Sequence, residues 1–431
     1  MEVIGVLVLV IVFVFLLVLG VPVAFCIGVA TLATMLVNIP FEPAVTTVAQ
    51  RMATGLDSFT LLAIPFFILA GQIMNQGGIA KRLIDFAKSI VGMLPGGLAY
   101  VQVIAAMLFG AISGSAVATV SAIGGVMGPQ MEKEGYDKPD VTALNISSSI
   151  TGLIIPPSNV LIVYSLASGG VSIAALFLAG YLPGILMGLA LIAVSGYVAV
   201  RKKLPTSGTF SIGQVMTTFW RALPSLFLII LVIGGIVIGI FTATEASAIA
   251  VVYALILSFV YRSMNWKQLQ TVLLESSKVT AIVALLIATS MAMSWIMSYE
   301  NIPTSVSNAL LSISDNPFII LLLINLILLA VGTFMDITPA VLIFTPIFLP
   351  LVVDMGISPI HFGIILIMNL SIGLCTPPVG SVLFVGCGIS DLPIVKVIKP
   401  LIPLFVALLV VLFMVIYLPQ LSLFLPTLFG Y

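Results

Sequence analysis

Oxygen-bearing side chains gather at four places in a chain that is otherwise almost entirely apolar. Around TGLIIPPSN at 151–159 stand Ser147, Ser148, Ser149, Thr151, Ser158 and Asn159. Around IGLCTPPVG at 372–380 stand Asn369, Ser371, Thr376 and Ser381. Ser113, Ser115 and Thr119 interrupt one long apolar block, and Asp336 and Thr338 interrupt another. Oxygen ligands of this kind suit hard cations such as Na⁺. The prolines at 156–157 and 377–378 add backbone carbonyls to the set. Proline has no N–H and clashes with the preceding turn, at roughly 3 kcal/mol or more inside a helix. Non-helical backbone at membrane depth is tolerated where it is buried in protein or lines a watery cavity. Freed carbonyls can then coordinate a cation, and half-helix N-termini can face an anion. The competing reading, a mere packing kink, suits one isolated double proline better than two that each accompany a polar interruption.

Asp336 is the one acid that the layout below places deep in the membrane. An intramembrane ionisable group is a functional hypothesis by default. Asp336 is open to three roles: ion ligand, proton carrier, or packing acid satisfied by backbone amides. No Lys or Arg falls at the centre. A carboxylate substrate would therefore rest on helix N-termini, hydroxyls, Asn159 and bound cations. His361 is expected at the wet outer start of a span.

The elements that position these residues follow from composition. Of 431 residues, 61% are hydrophobic and 7% charged, where a soluble domain carries about 25% charged residues. Such a chain cannot cover a globular surface with charge, so its solvent is mostly lipid. Apolar runs near the ~20 residues that a spanning helix needs recur from end to end. The first run has no basic start and no small-residue cleavage site, so it reads as a retained span. Zero net charge argues against a nucleic-acid partner. Cys26, Cys375 and Cys387 lie in apolar segments without a CxxC pattern and read as small buried hydrophobes.

The chain is written twice. Pro156 and Pro377 are 221 residues apart, as are Gly152-Leu153 and Gly373-Leu374. The same shift maps 3–20 onto 224–241, 23–38 onto 244–259, the polar stretch 41–56 onto 262–277, and 58–75 onto 279–296. It carries 79–91 onto 300–312, 95–131 onto 316–352, 141–168 onto 362–389, and 173–199 onto 394–420. Each half, 1–210 and 211–431, then holds five crossings and one re-entrant hairpin. The hairpins are 95–131 and 316–352, and the broken helices are 141–168 and 362–389. An odd number of crossings inverts the second half, as in many secondary transporters. The fold class is an all-α integral membrane protein built as an inverted-topology repeat.

Charge supports this layout. With 201–203 (RKK) in the cytoplasm, counting crossings places 14 of the 15 Lys and Arg on that side and Arg51 alone outside. Both termini are then external. The stretch 79–91 puts Leu83, Ile84, Ala87, Ile90 and Val91 on one helical face and Lys81, Asp85 and Lys88 on the other, the pattern of an interfacial amphipathic helix. Enzyme signals are weak: there is no GxxxxGK[ST], no HExxH and one histidine. Transport is expected to be driven by an ion gradient.

GAISGSAVATVSAIGG (110–125), GLIIPPSN (152–159), FMDITPA (334–340) and GLCTPPVG (373–380) resemble the large membrane subunit of TRAP transporters, the tripartite ATP-independent periplasmic family, and the likeness covers essentially the whole chain. The resemblance implies an elevator-type ion transporter fold in a bacterial inner membrane, with both termini periplasmic. Two partners are implied: a small four-span membrane subunit and a periplasmic protein that delivers an organic acid. Two Na⁺ sites are implied as well. One lies between Ser113, Gly114, Ser115 and the first break at Ser149, Thr151, Gly152 and Pro156. The other lies between Met335, Asp336, Thr338 and the second break at Cys375, Thr376 and Gly380. Substrate contacts fall on Ser115, Ser158, Asn159, Thr338 and Ser381. Spans 3–38 and 224–259 would be static scaffold beside the small subunit, which is expected as a separate chain because the first span begins at Glu2. The acid implied is of the C4-dicarboxylate or sialic-acid type, and the chain resembles the sialic-acid branch most. The alternatives are a stand-alone sodium–dicarboxylate symporter and an ion channel.

Overall fold

The structure, a computed structural model, describes residues 2–206 and 211–431. Among the described residues there is no β-strand, only an isolated antiparallel bridge from Pro95 to Thr206. Among the described residues eight helices are long and apolar enough to cross a bilayer. The chain is thus an all-helical, multi-pass integral membrane protein. The physical reason is that lipid offers the backbone no hydrogen-bond partner, so a helix must close its bonds internally.

Helices Glu2–Val18 and Val23–Asn38 form an antiparallel pair. The stretch 41–56 is a helix in its own right, Phe41–Leu56, packed on the long helix Trp266–Tyr299. Gly55 allows that approach, because a Cβ there would lie 2.7 Å from the Met291 side chain. Asp57 and Ser58 then break the chain before a short 3₁₀ turn, Phe59–Leu62, and the helix Ala63–Gln76. The second half has no such break near residue 278. Its polar and apolar stretches run together as one helix of 34 residues, Trp266–Tyr299. Helices Ile212–Val237 and Ala243–Val260 pack on each other, and Ala243–Val260 packs on Ala63–Gln76. At one corner of this bundle Asn38 Nδ2 donates to Glu300 Oε1 at 2.9 Å.

The amphipathic segment is a helix, Ile79–Val91, and protein covers most of its apolar face, leaving Ile90 exposed. Ile79, Leu83 and Ala87 are fully buried against Gly97–Ser113 and Ile212–Val237. Phe86 meets Phe219 at 5.7 Å between ring centroids, and the Ser89 and Thr218 hydroxyls pair at 2.8 Å. Helix Ile212–Val237 begins ahead of its apolar run and supplies this partner surface. The sequence pattern identified the apolar face; what would cover it was not readable locally.

The two hairpins are Gly97–Ser113 with Ala116–Lys133, and Pro317–Phe334 with Ile337–Asp354. The broken helices are Lys138–Ser149, a 3₁₀ turn Ile150–Leu153 and Asn159–Ala167, and Pro359–Gly373 with Ser381–Ile389. The long helices Ile173–Lys202 and Ile394–Tyr417 flank them. A last helix, Gln420–Leu428, was hidden in the C-terminal apolar run. It overturns the wet reading of His361. That imidazole is 2% exposed. Its Nδ1 sits 2.6 Å from Ser422 Oγ, under the folded-back terminal helix.

Candidate functional site

Each hairpin tip is built by capping chemistry. Helix Gly97–Ser113 ends at Gly114, whose φ of 61° is the left-handed conformation that favours glycine and whose N–H donates to Gly110 O at 2.8 Å. Ser115 follows as N-cap, with its Oγ accepting from Ala118 N at 3.2 Å. The Ser113 and Thr119 hydroxyls lie 3.2 Å apart, and Thr119 Oγ1 donates to Ser115 O at 2.8 Å. In the second tip Met335 is extended and Asp336 is the N-cap, accepting from Ile337 N at 2.9 Å. Serine and aspartate at these positions do two jobs. They satisfy helix N–H groups and leave oxygen lone pairs at the tip.

The breaks satisfy their own orphan carbonyls with hydroxyls. Ser149 Oγ donates to Ile146 O at 2.8 Å, Thr151 Oγ1 to Ser148 O at 2.6 Å, and Ser158 Oγ to Leu153 O at 2.6 Å. Both double prolines carry a cis peptide bond. At the second break Thr376 Oγ1 donates to Ile372 O at 2.9 Å. Gly380 N donates to Thr333 O at 3.0 Å and so ties the break to its hairpin. A Cβ on Gly380 would lie 2.5 Å from Leu374 O and 3.0 Å from Thr376 O, so two carbonyl oxygens converge there.

Glycine lets each hairpin touch its own break. A Cβ on Gly110 would lie 2.7 Å from Gly152 Cα, and one on Gly373 would lie 2.6 Å from Gly332 Cα. Buried amides fasten the same pairs. Gln102 Nε2 donates to Asn145 Oδ1 at 2.8 Å, and Asn145 Nδ2 to Val120 O at 2.9 Å. Asn369 Nδ2 donates to Asn325 Oδ1 at 2.6 Å. Gln102, Asn145 and Asn325 were missed in the sequence, although an amide inside an apolar run is a legible signal. The two broken helices also meet each other, through Tyr164 Oη donating to Pro359 O at 2.6 Å and Cys375 Sγ against Ile146 O at 3.5 Å.

One cavity of about 220 Å³ joins these parts. Among the expected site residues, Ser113, Gly114, Ser115, Asn159, Asp336 and Thr338 line it. Ser149, Thr151, Gly152, Pro156 and Ser158 lie behind it and are buried. Met335, Cys375, Thr376, Gly380 and Ser381 belong to the second tip and break without lining it. Among the described residues Asn159 Oδ1 is buried without a hydrogen-bond partner, and a Cβ on Gly114 would come within 3.0 Å of its Nδ2. Ser381 Oγ is likewise unpartnered. The donor set is hydroxyl, amide, carboxylate and carbonyl oxygen, which fits a hard monovalent or divalent cation better than a soft one.

A helical bundle of membrane-spanning length that brings polar hairpin tips and interrupted helices to an interior cavity is a transporter architecture. Residues 9–421 match the family model "Tripartite ATP-independent periplasmic transporter, DctM component". The chain belongs to that family. It is 56% identical over 425 residues to the protein YgiK of Salmonella typhimurium, covering 99% of this chain and 98% of the relative. It is 41% identical over 392 residues to the C4-dicarboxylate TRAP transporter large permease protein DctM of Pseudomonas aeruginosa, covering 90% and 92%. The fold resembles the YdaH transporter of Alcanivorax borkumensis, with a TM-score of 0.64, 14% identity and 87% of each chain covered.

Proposed function

We propose that this chain is the permease subunit of a Na⁺-coupled secondary transporter that imports an organic acid of the C4-dicarboxylate or sialic-acid type. It works in a bacterial inner membrane with both termini periplasmic. Its partners are a small four-span membrane subunit and a periplasmic binding protein that hands over the acid. The observation that carries the reading is the shared cavity: both tips and the first break open onto it with oxygen atoms and no Lys or Arg.

Helix starts support two equivalent halves, 1–210 and 211–431. They recur from Ala116 to Ile337, Lys138 to Pro359 and Ile173 to Ile394, each 221 residues apart. The second half is inverted, as the one-sided basic residues favour. Hairpins and broken helices move together as one body past a fixed wall, the elevator mode. The glycine contacts and amide pairs support this, because rearranging them would strand buried polar groups at about 1–3 kcal/mol each. Co-transported Na⁺ is held by Ser113, Ser115 and the first break, and by Asp336, Thr338, Thr376 and the carbonyls around Gly380.

Uptake into proteoliposomes, with and without a Na⁺ gradient and the binding protein, tests the reading. Ser115→Ala, Asp336→Asn and Thr376→Ala should weaken Na⁺ dependence more than expression, since a bond to a charged group is worth roughly 1.5–3 kcal/mol. If all three variants keep the parent's Na⁺ curve, the ion sites are misplaced. Flux without Na⁺ coupling or binding protein would favour a channel.

A further inference from the structure

The cavity has two kinds of wall. The hairpin tips and broken helix supply one; helices Ala63–Gln76 and Trp266–Tyr299, packed on the scaffold helices Ala243–Val260 and Val23–Asn38 and so part of the fixed body in the elevator mode, supply the other. The second wall contributes Ile64, Ile68, Gly71, Gln72 and Asn75 from the first helix, and Val279 and Val283 from the second. Its polar side chains are thus two amides. Among the described residues neither makes a hydrogen bond, and both are partly exposed to the cavity.

Their placement is graded. The hairpin tip lies level with Gly71, where a Cβ would come within 3.0 Å of Ser113 O. With a rise of about 1.5 Å per residue, Gln72 and Asn75 stand about 1.5 and 6 Å further along the wall, while Ile64 and Ile68 stand about 10 and 5 Å back. The helix leads on to Lys81 and Arg82, and Val279 directly follows the exposed Lys278. In the layout proposed above, both features place the amide end towards the cytoplasm. An amide that faces the cavity with no partner among the described residues is open to hydrogen bonds from whatever enters it. Carboxylate and hydroxyl groups accept bonds from amide N–H₂ groups.

The geometry points to Gln72 and Asn75 as a substrate half-site on the fixed wall, which contacts the organic acid only when the moving body stands at the cytoplasmic end. This inference rests on the transporter reading. Asn159 and Thr338 hold the acid from the moving side in both end states. Gln72 and Asn75 add hydrogen bonds in one of them, while Ile64 and Ile68 offer none in the other. Substrate selectivity is then partly written on the scaffold, and affinity is unequal on the two faces.

The test compares parent, Gln72→Leu, Asn75→Leu and Gln72→Glu, each assembled with both partner subunits, in inside-out and right-side-out vesicles. The probes are radiolabelled succinate and N-acetylneuraminate. Each leucine variant should raise the half-saturating concentration on the cytoplasmic face by about tenfold, the loss of one bond to a charged group. Gln72→Glu should raise it further through repulsion of the anion. The outer-face value and the Na⁺ activation curve should stay within about twofold, which also shows that the variants fold. Unchanged cytoplasmic affinity, or equal losses on both faces, would overturn the inference. A parent that carries neither acid would overturn the proposed substrate type, because parent and variants would then be alike at every concentration.

Discussion

Replacing Gly110 or Gly373 by alanine should disable ion coupling while sparing the helices that bear them. In the parent, a Cβ on Gly110 would fall 2.7 Å from Gly152 Cα, and one on Gly373 would fall 2.6 Å from Gly332 Cα. Carbon atoms pack at about 3.5–4.0 Å, so each alanine must push hairpin and break apart by roughly 1 Å. The obstacle is backbone, which cannot swing aside as a long side chain would. Overpacking of this kind costs typically about 1–3 kcal/mol, against a helix-propensity gain of at most about 1 kcal/mol. Gly110 O also accepts the N–H of Gly114, so the displacement passes directly to the first tip. A cation whose ligands come from both sides of the gap should lose about one bond's worth, roughly 1.5–3 kcal/mol, or a shift of tenfold or more in half-activating Na⁺. The assay is Na⁺-dependent uptake in proteoliposomes, normalised to monodisperse protein in detergent. Gly125→Ala and Gly128→Ala are the controls, since among the described residues nothing outside their own helix turn lies within 4 Å of a Cβ at either position. Should Gly110→Ala and Gly373→Ala match those controls in Na⁺ response, the coupling of tip to break through glycine contact would be refuted.

Asn145→Ala leaves the Gln102 amide N–H₂ without its partner and removes the second bond to the Val120 carbonyl. It should lower stability by about 1–3 kcal/mol per stranded group, and a thermal-unfolding double-mutant cycle with Gln102→Ala should show strong coupling. Lys202 pairs with Asp137 at 2.6 Å and with Asp140, but these side chains are 29 to 65% exposed. Lys202→Ala should therefore change stability by no more than about 1 kcal/mol. A single cysteine at position 202 should resist an impermeant thiol reagent added from outside; labelling there would reverse the proposed orientation. Burial pushes the Tyr136 phenol up from 10 to about 12. The folded state then favours the protonated form, and this contribution to stability, complete below pH 10, fades as pH rises from 10 to 12. The unfolding temperature of the parent minus that of Tyr136→Phe should fall across that window, and a constant difference would contradict it.

Breakers and polar interruptions were legible because they act locally. A helix must stop at Gly114 or at a double proline whatever surrounds it, and the tips and breaks fall where the sequence put them. The helix Phe41–Leu56 was passed over as merely polar because its few buried contacts, Ala44 and Gly55, only acquire meaning against Trp266–Tyr299. His361 was misread for a similar reason. Its partner Ser422 sits 61 residues away on a helix that hydropathy cannot separate from the one before it. The candidate site was half visible. Six of its expected residues share the cavity, whereas the wall amides Gln72 and Asn75 lay outside every motif and needed packing to bring them there.

The unbroken helix Trp266–Tyr299 has a mechanical consequence. Its 34 residues extend for about 51 Å, while the hydrocarbon layer is only about 30 Å thick. The part after Lys278 accounts for about 31 Å and matches that layer; the first 13 residues, about 20 Å, stand beyond it. The apolar length of this rod must be matched by the acyl chains around it. Thinner or thicker bilayers must stretch, compress or tilt around it, at fractions of a kcal/mol for every ångström of mismatch. Since the same rod forms one side of the cavity, vesicles made from a graded series of lipid chain lengths should show a rate optimum, with turnover falling on either side as the elastic load on this helix grows.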